Sequence, residues 1–392
     1  MAFPFKGVDF IGFDTLLSAD ERRVRDTARK FIEDNLVPII EECNRAGRFP
    51  NELIQPMGQL GFYGATLHGY GCASMNNVEY GLVMQEAERG DSGVRSFISV
   101  QSALVMYPIH AFGSEEQKNQ WLPVLAKGEK IGCFALTEPD FGSNPAGMRA
   151  RAKKDGGDYI LNGEKRWVTS GTLADVAVIW ARMEDEDDLV RGFLVDTKLP
   201  GFSAYDVRGK WSLRTSVSSG FSMQDVRVPA SALLPGARGL KSALMCLNQA
   251  RYGIGWGALG AAMACYDTAL QYSLLRKQFR DQPIASHQLV QEQLVWMITE
   301  ITKGQLLALQ VGRMKDAGTV GHKHISMAKK NNVWMALECA RRSRDLLGAN
   351  GITDEYPIMR HMMNLESVKT YEGTDAMHTL ILGQSVTGIP AY

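Results

Sequence analysis

The chain has 392 residues, enough for two or three domains and a sizeable buried core. Lys plus Arg and Asp plus Glu both number 43, so the formal charge is zero, which excludes the basic excess of a general nucleic-acid binder and the acidic excess of a disordered tail. A hydrophobic content of 45% is ordinary for a globular protein.

Six cysteines (Cys43, Cys72, Cys133, Cys246, Cys265 and Cys339) are scattered without a C-x-x-C. This is neither a disulfide framework nor a zinc-site spacing, and it suits a reducing compartment. Met1 to Asp20 shows no secretory or transit pattern. The expectation is a cytoplasmic bacterial protein, or a mitochondrial matrix protein whose transit peptide has been removed. Phe97 to Ser114 and Tyr252 to Tyr266 carry no Lys, Arg, Asp or Glu. The first is interrupted by polar residues and the second is short and glycine-rich, so both read as buried helices rather than membrane spans.

Residues 1–130 read as helical. Ser18-Ala-Asp-Glu21 is a capping box followed by Val24, Ala28, Phe31 and Ile32 at helical spacing. Ser114-Glu-Glu-Gln117 repeats the signal before Trp121, Leu122 and Leu125. Residues 131–235 change period. Tyr159-Ile-Leu161, Arg166 to Thr169, Val176 to Trp180 and Gly192 to Val195 are short runs of strand formers, and they predict antiparallel β with a turn at Asn162-Gly163. Glu184 to Asp188 reads as a solvated hairpin tip, with a metal site as the lesser reading. Residues 236–392 return to helix, over about 242–276, 286–316, 324–347, 356–369 and 375–386. The expected class is α+β multidomain: an N-terminal helical domain, a middle antiparallel β domain and a C-terminal helical bundle.

Several motifs invite an alternative. Gly255-Trp-Gly257-Ala-Leu-Gly260 spells a dinucleotide fingerprint, but it lacks a preceding strand and a following acid. It reads better as glycines that let helices approach. His322-Lys-His324 reads as surface histidines, His378 as structural, and Lys329-Lys330 with Arg341-Arg342-Ser-Arg344 as a solvated face or an anion patch. Phe134 to Ser143 alone would be a turn. Thr370-Tyr-Glu-Gly-Thr374 alone would be a helix end, or a carboxylate aimed into a cavity as a general base.

Together these segments resemble the acyl-CoA dehydrogenase flavoprotein family over nearly the whole chain. The matching stretches are Leu136-Thr-Glu-Pro, Gly142-Ser143, Lys165 to Thr169, Arg251-Tyr-Gly253, Arg276-x-x-Phe279, Gln288-x-x-Gln291 and Gly348-x-x-Gly351-Ile352. Glu88 to Ser102, Asn248 to Gly257 and Tyr371 to Thr374 resemble the group of that family that oxidises and decarboxylates glutaryl-CoA.

That resemblance implies FAD as cofactor, glutaryl-CoA as substrate, electron-transfer flavoprotein as acceptor, a place in lysine degradation and a homotetramer, with no metal, no nucleic acid and no membrane insertion. It implies that Glu372 is the catalytic base. Arg95, Ser96, Ser99, Glu88, Ser143, Arg251, Tyr371 and Gly373 would bind substrate, Arg95 gripping the distal carboxylate from an Asp-Ser-Gly-rich turn. Phe134, Leu136, Thr137, Gly142, Ser143, Trp167, Val168, Thr169 and Thr374 would line the flavin. Arg276, Phe279, Gln288, Asp345 and Gly348 would hold the FAD of a neighbouring subunit. The chain departs from the family at Arg280-Asp281-Gln282, where one residue is added and a glycine lost, and at Asn144. Rival expectations are a dehydrogenase of another short acyl thioester and a flavin-binding scaffold without turnover.

Overall fold

The computed structural model describes residues 3–391. Its N-terminal part is helical: α1 (Ala19–Phe31), α2 (Ile40–Ala46), α3 (Ile54–Gln59), α4 (Asn77–Gly90), α5 (Ser92–Ser99), α6 (Tyr107–Phe112) and α7 (Glu115–Ala126). Both capping boxes form, Ser18 with Glu21 at α1 and Ser114 with Gln117 at α7. The uncharged stretch from Phe97 is indeed buried helix.

A seven-stranded sheet follows: β1 (Gly132–Ala135), β2 (Arg151–Asp155), β3 (Asp158–Thr169), β4 (Val176–Met183), β5 (Val190–Asp196), β6 (Phe202–Asp206) and β7 (Ser218–Pro229). Most pairings are antiparallel, as expected, but β4 lies parallel to both β1 and β2. The turn expected at Asn162-Gly163 is absent. β3 runs straight through it, and the register against β7 shifts there instead. The physical reason is close packing: a Cβ on Gly163 would lie 2.7 Å from Ala150 Cα. The glycine marks a bulge, not a hairpin. Glu184 to Asp188 does cap the β4–β5 hairpin, with Asp188 paired to Arg151 and Arg182 and Glu186 to Arg191.

The C-terminal part contains α8 (Leu240–Leu275), the small hairpin β8 (Lys277–Gln278) and β9 (Gln282–Pro283), then α9 (Gln288–Asp316), α10 (His322–Leu347), α11 (Ile358–Thr370) and α12 (Asp375–Thr387). α8 packs against α4 and α10 through its glycines. A Cβ on Gly260 would lie 1.8 Å from the Gln85 carbonyl oxygen, so the G-x-G-x-x-G run serves helix approach. Helices from both ends of the chain thus share one core, while the sheet keeps a second core of its own. Ser212 Oγ donates to Ser367 Oγ at 2.6 Å and Leu213 N–H to Asn364 Oδ1 at 2.8 Å, which seats the β domain against α11.

Candidate active site

The corner between α4 and α5 is set by Asp91. Its Oδ1 accepts the Gly93 N–H at 2.7 Å, and its Oδ2 accepts from Arg360 at 2.8 Å and Asn364 at 3.0 Å. The corner brings Glu88 of α4 to face Arg95 of α5. Arg95 lies on a helix, not in the expected turn, and is completely buried. Its Nε donates to Glu88 Oε2 at 2.6 Å and its Nη2 to the Tyr371 hydroxyl. Glu88 Oε1 also accepts from Ser92 Oγ at 2.9 Å. Burial raises the Glu88 carboxyl above its ordinary range against the pull of Arg95. Room for this pair comes from α8: a Cβ on Gly257 would lie 2.1 Å from Glu88 Oε2.

Ser99 follows Arg95 by one helical turn and shares its face. Arg95 Nη1 and Ser99 Oγ are both buried without a partner. The Tyr80 hydroxyl, facing Ser99 and Ser102, is likewise unpartnered. Ser96 is buried on the same helix.

Glu372 sits in the break between α11 and α12. Its φ is 51° and that of Gly373 is 96°. A non-glycine residue held in the left-handed region is the kind of strain found at functional sites. Arg251 Nε of α8 donates to the Glu372 carbonyl at 2.7 Å, and Lys329 Nζ of α10 donates to the carbonyls of Tyr371 and Gly373, each at 2.5 Å. The carboxylate itself keeps Oε2 buried and unpartnered. Burial raises Glu372 above the ordinary carboxylate range, against the opposing charges of Arg95, Lys329 and Arg251.

Lys329 corrects the sequence reading. It is buried, and only its neighbour Lys330 faces outward, to Asp375 at 3.1 Å. The signal was present in the sequence: Ile325, Ala328, Asn332, Val333 and Ala336 place Lys329 on the inward face of α10. Tyr80, one turn into α4 after Asn76, Asn77 and Glu79, is a further buried polar residue beside the site that was not among the expected ones. His324 caps its own helix by accepting the Gly321 N–H at 2.9 Å, and His378 is buried against Gly373.

The segments expected to line a flavin, the loop after β1 and the end of β3, lie side by side. The Arg166 N–H donates to the Thr137 carbonyl at 2.9 Å, joining the loop after β1 to β3. Beneath them Lys165 Nζ is buried on Glu138 Oε1 at 2.9 Å and the Leu136 carbonyl at 3.1 Å. A second register shift in β3 turns Trp167 outward at φ 61°, leaving it 59% exposed while Val168 is buried. Thr137 and Thr169 are half-buried beside it, Gly142 and Ser143 are open, and Phe134 and Leu136 are buried. Thr374 spends its hydroxyl capping α12, accepting the Met377 N–H at 3.1 Å. Arg276, Phe279, Gln288, Asp345 and Gly348 are all exposed, and Asn350 in the turn after α10 donates to the Tyr272 hydroxyl of α8 at 3.0 Å. The added residues place Phe279, Arg280 and Asp281 at the tip of the β8–β9 hairpin, all three with positive φ.

Descriptions of the acyl-CoA dehydrogenase N-terminal, middle and C-terminal domains match residues 18–129, 133–226 and 237–387. The chain belongs to the acyl-CoA dehydrogenase family, and with that membership its cofactor is FAD. A crystal structure of glutaryl-CoA dehydrogenase from Mycobacterium smegmatis is similar at 54% identity and TM-score 0.95, covering 97% of this chain and 98% of that one. A second structure of a glutaryl-CoA dehydrogenase from that organism, in complex with FADH2, is similar at 51% identity and TM-score 0.96, covering 99% and 100%. The mitochondrial short-chain specific acyl-CoA dehydrogenase of Bos taurus is 31% identical over 371 residues, covering 93% of this chain and 90% of its own.

The residues present fit a flavin. An outward apolar ring at Trp167, half-buried hydroxyls at Thr137 and Thr169 and an uncovered backbone at Gly142 offer a face for a planar ring system and donors for its polar edge. Among the described residues no helix is long and apolar enough to cross a membrane.

Proposed function

We propose that this acyl-CoA dehydrogenase oxidises and decarboxylates glutaryl-CoA to crotonyl-CoA and CO2, with the electrons passing to electron-transfer flavoprotein. The observation that carries the reading is the buried, incompletely satisfied guanidinium of Arg95 beside the unpartnered Ser99 hydroxyl. A monocarboxylic tail ends in a methyl group and needs an apolar end wall. A dicarboxylic tail ends in a charge, for which Arg95 Nη1 and Ser99 Oγ supply donors.

In this reading Arg251 and Lys329 hold the turn that carries Glu372, and the unpartnered Oε2 takes the thioester α-proton. Burial suits it to the task, because a carboxylate with a raised pKa is a stronger base. FAD, when bound, accepts the hydride from the β-carbon. Ser143 and Gly373 flank the thioester. Glu88 shares Arg95, so the guanidinium orients the distal carboxylate without neutralising it fully, and the carboxylate carbon then leaves as CO2. The resulting dienolate is protonated to crotonyl-CoA, with Tyr371 beside the departing group. We further propose a homotetramer in which Arg276, Phe279, Gln288, Asp345 and Gly348 meet the FAD of a neighbouring subunit. The exposed Leu274, Leu275, Phe279 and Leu289 around that group support an interface.

Anaerobic mixing with glutaryl-CoA tests the proposal, with flavin absorbance followed and products identified by mass. Bleaching with release of crotonyl-CoA and CO2 is expected. Accumulation of glutaconyl-CoA would remove the decarboxylation. Bleaching by butyryl-CoA alone would remove the dicarboxylate assignment, and no bleaching by either would leave a scaffold.

A further inference from the structure

Glu372 is carried by a turn that its own sequence does not favour. The residue has φ 51°, and only Gly373 beside it is free to adopt a positive φ at no cost. Three successive carbonyls, of Tyr371, Glu372 and Gly373, are engaged by two cationic side chains, one from α8 and one from α10. Arg251 takes the middle one and Lys329 bridges the outer two. Lys329 therefore bridges the two residues that flank the base.

Lys329 is 1% exposed and its ammonium makes no ion pair with a carboxylate; both of its bonds go to neutral carbonyl oxygens. A buried cation in that state needs a compensating charge nearby. Facing it are Glu372 and Tyr371 of the turn, Arg251 of α8, Arg95 of α5, and Asp375 and His378 of α12. Asp375 is already bound to Lys330, at 3.1 Å through both oxygens. Arg95 and Arg251 repel Lys329, and His378 is held neutral by burial. The free carboxylate left to balance the ammonium is Glu372.

We propose that Lys329 is a positioning residue for the base: its ammonium fixes the turn that aims Glu372, and its charge keeps the Glu372 carboxylate ionised before substrate binds. This inference rests on Glu372 being the base. Burial pulls Lys329 down to about 7 and raises Glu372, and the charge of each opposes the shift of the other. A positive neighbour lowers the pKa of a carboxyl group, so its removal raises that pKa. The acid limb of flavin reduction then moves to higher pH, and each unit of movement costs tenfold in rate on that limb.

The test uses the holoenzyme and its Lys329→Gln and Lys329→Arg variants. Two quantities are read: the acid limb of kcat/KM for flavin bleaching by glutaryl-CoA, and the pH midpoint of the protonated-carboxyl infrared band in substrate-free protein. The band is assigned to Glu372 by its loss in Glu372→Gln. For Lys329→Gln both midpoints should rise by at least one pH unit, and Lys329→Arg should keep the wild-type values. Where Lys329→Gln does not retain flavin, Lys329→Met replaces it. Unchanged midpoints in the uncharged variant, or equal movement in Arg and Gln variants, would overturn the proposal. Flavin bleaching that survives in Glu372→Gln would instead remove the base assignment itself.

Discussion

Replacing Arg95 by Met is the most informative single change, because the structure predicts two separable effects. Arg95 Nε is bound to Glu88 Oε2 at 2.6 Å with both side chains fully buried. Removing one partner of a buried pair costs on the order of 3–5 kcal/mol, since the other charge is left uncompensated. Glu88 would then take up a proton, held only by Ser92, and the loss of fold stability would affect turnover of every substrate alike. The double variant Arg95→Met with Glu88→Gln removes that penalty, because no buried charge remains. What the double variant cannot restore is a donor for a distal carboxylate. At about 1.4 kcal/mol per decade, an unpaired carboxylate costs roughly two to three and a half powers of ten in kcat/KM. Butyryl-CoA, which has no distal charge, should lose little and gains an apolar end wall. The assay is kcat/KM for glutaryl-CoA and butyryl-CoA in wild type, single and double variants, alongside thermal unfolding. A fall of at least about a hundredfold in the glutaryl-to-butyryl ratio is expected in both variants. Equal losses for the two thioesters would confine Arg95 to the fold and refute the dicarboxylate reading.

Glu372→Gln should retain FAD and slow flavin reduction by at least about 10³-fold, within the range ascribed to positioned proton transfer; rapid-mixing absorbance measures it. Gly257→Ala places a Cβ 2.1 Å from Glu88 Oε2 and 3.2 Å from Arg95 Cδ, so it should displace the pair and lower glutaryl-CoA turnover more than butyryl-CoA turnover, at about 1–3 kcal/mol in thermal stability. Burial would raise Glu86, but Arg89 and Arg29 outweigh it and hold the carboxyl at about 2. A depressed carboxylate contributes stability above its unfolded pKa that is lost as pH falls through the folded value. Unfolding free energy should therefore drop between about pH 5 and pH 2, and Glu86→Gln should flatten that part of the curve in chemical denaturation.

How much could be read from the residues alone follows from what each signal depends on. Capping boxes, the long C-terminal helices and the change of period at the β segment depend on neighbours in sequence, and they were legible at Ser18, Ser114 and across residues 242–386. Candidate site residues were legible through resemblance at Arg95, Ser99 and Glu372. Packing against distant segments was not. Asn162-Gly163 carries every local mark of a turn, yet the approach of Ala150 makes Gly163 a bulge within one strand. Lys329 reads as half of a surface lysine pair until α10 docks on α8 and turns it toward the Tyr371 and Gly373 carbonyls. Arg95, expected in a turn, lies on a helix instead, and its burial against Glu88 depends on the space that Gly257 of α8 leaves. The sequence alone determined the capped helix starts and the order of helical and strand segments, because those choices rest on bonds to residues a few positions away. Only the tertiary structure decided which charges are buried and which partners they find, because burial depends on segments more than a hundred and fifty residues apart, as from Arg95 to Tyr371, closing over the same site.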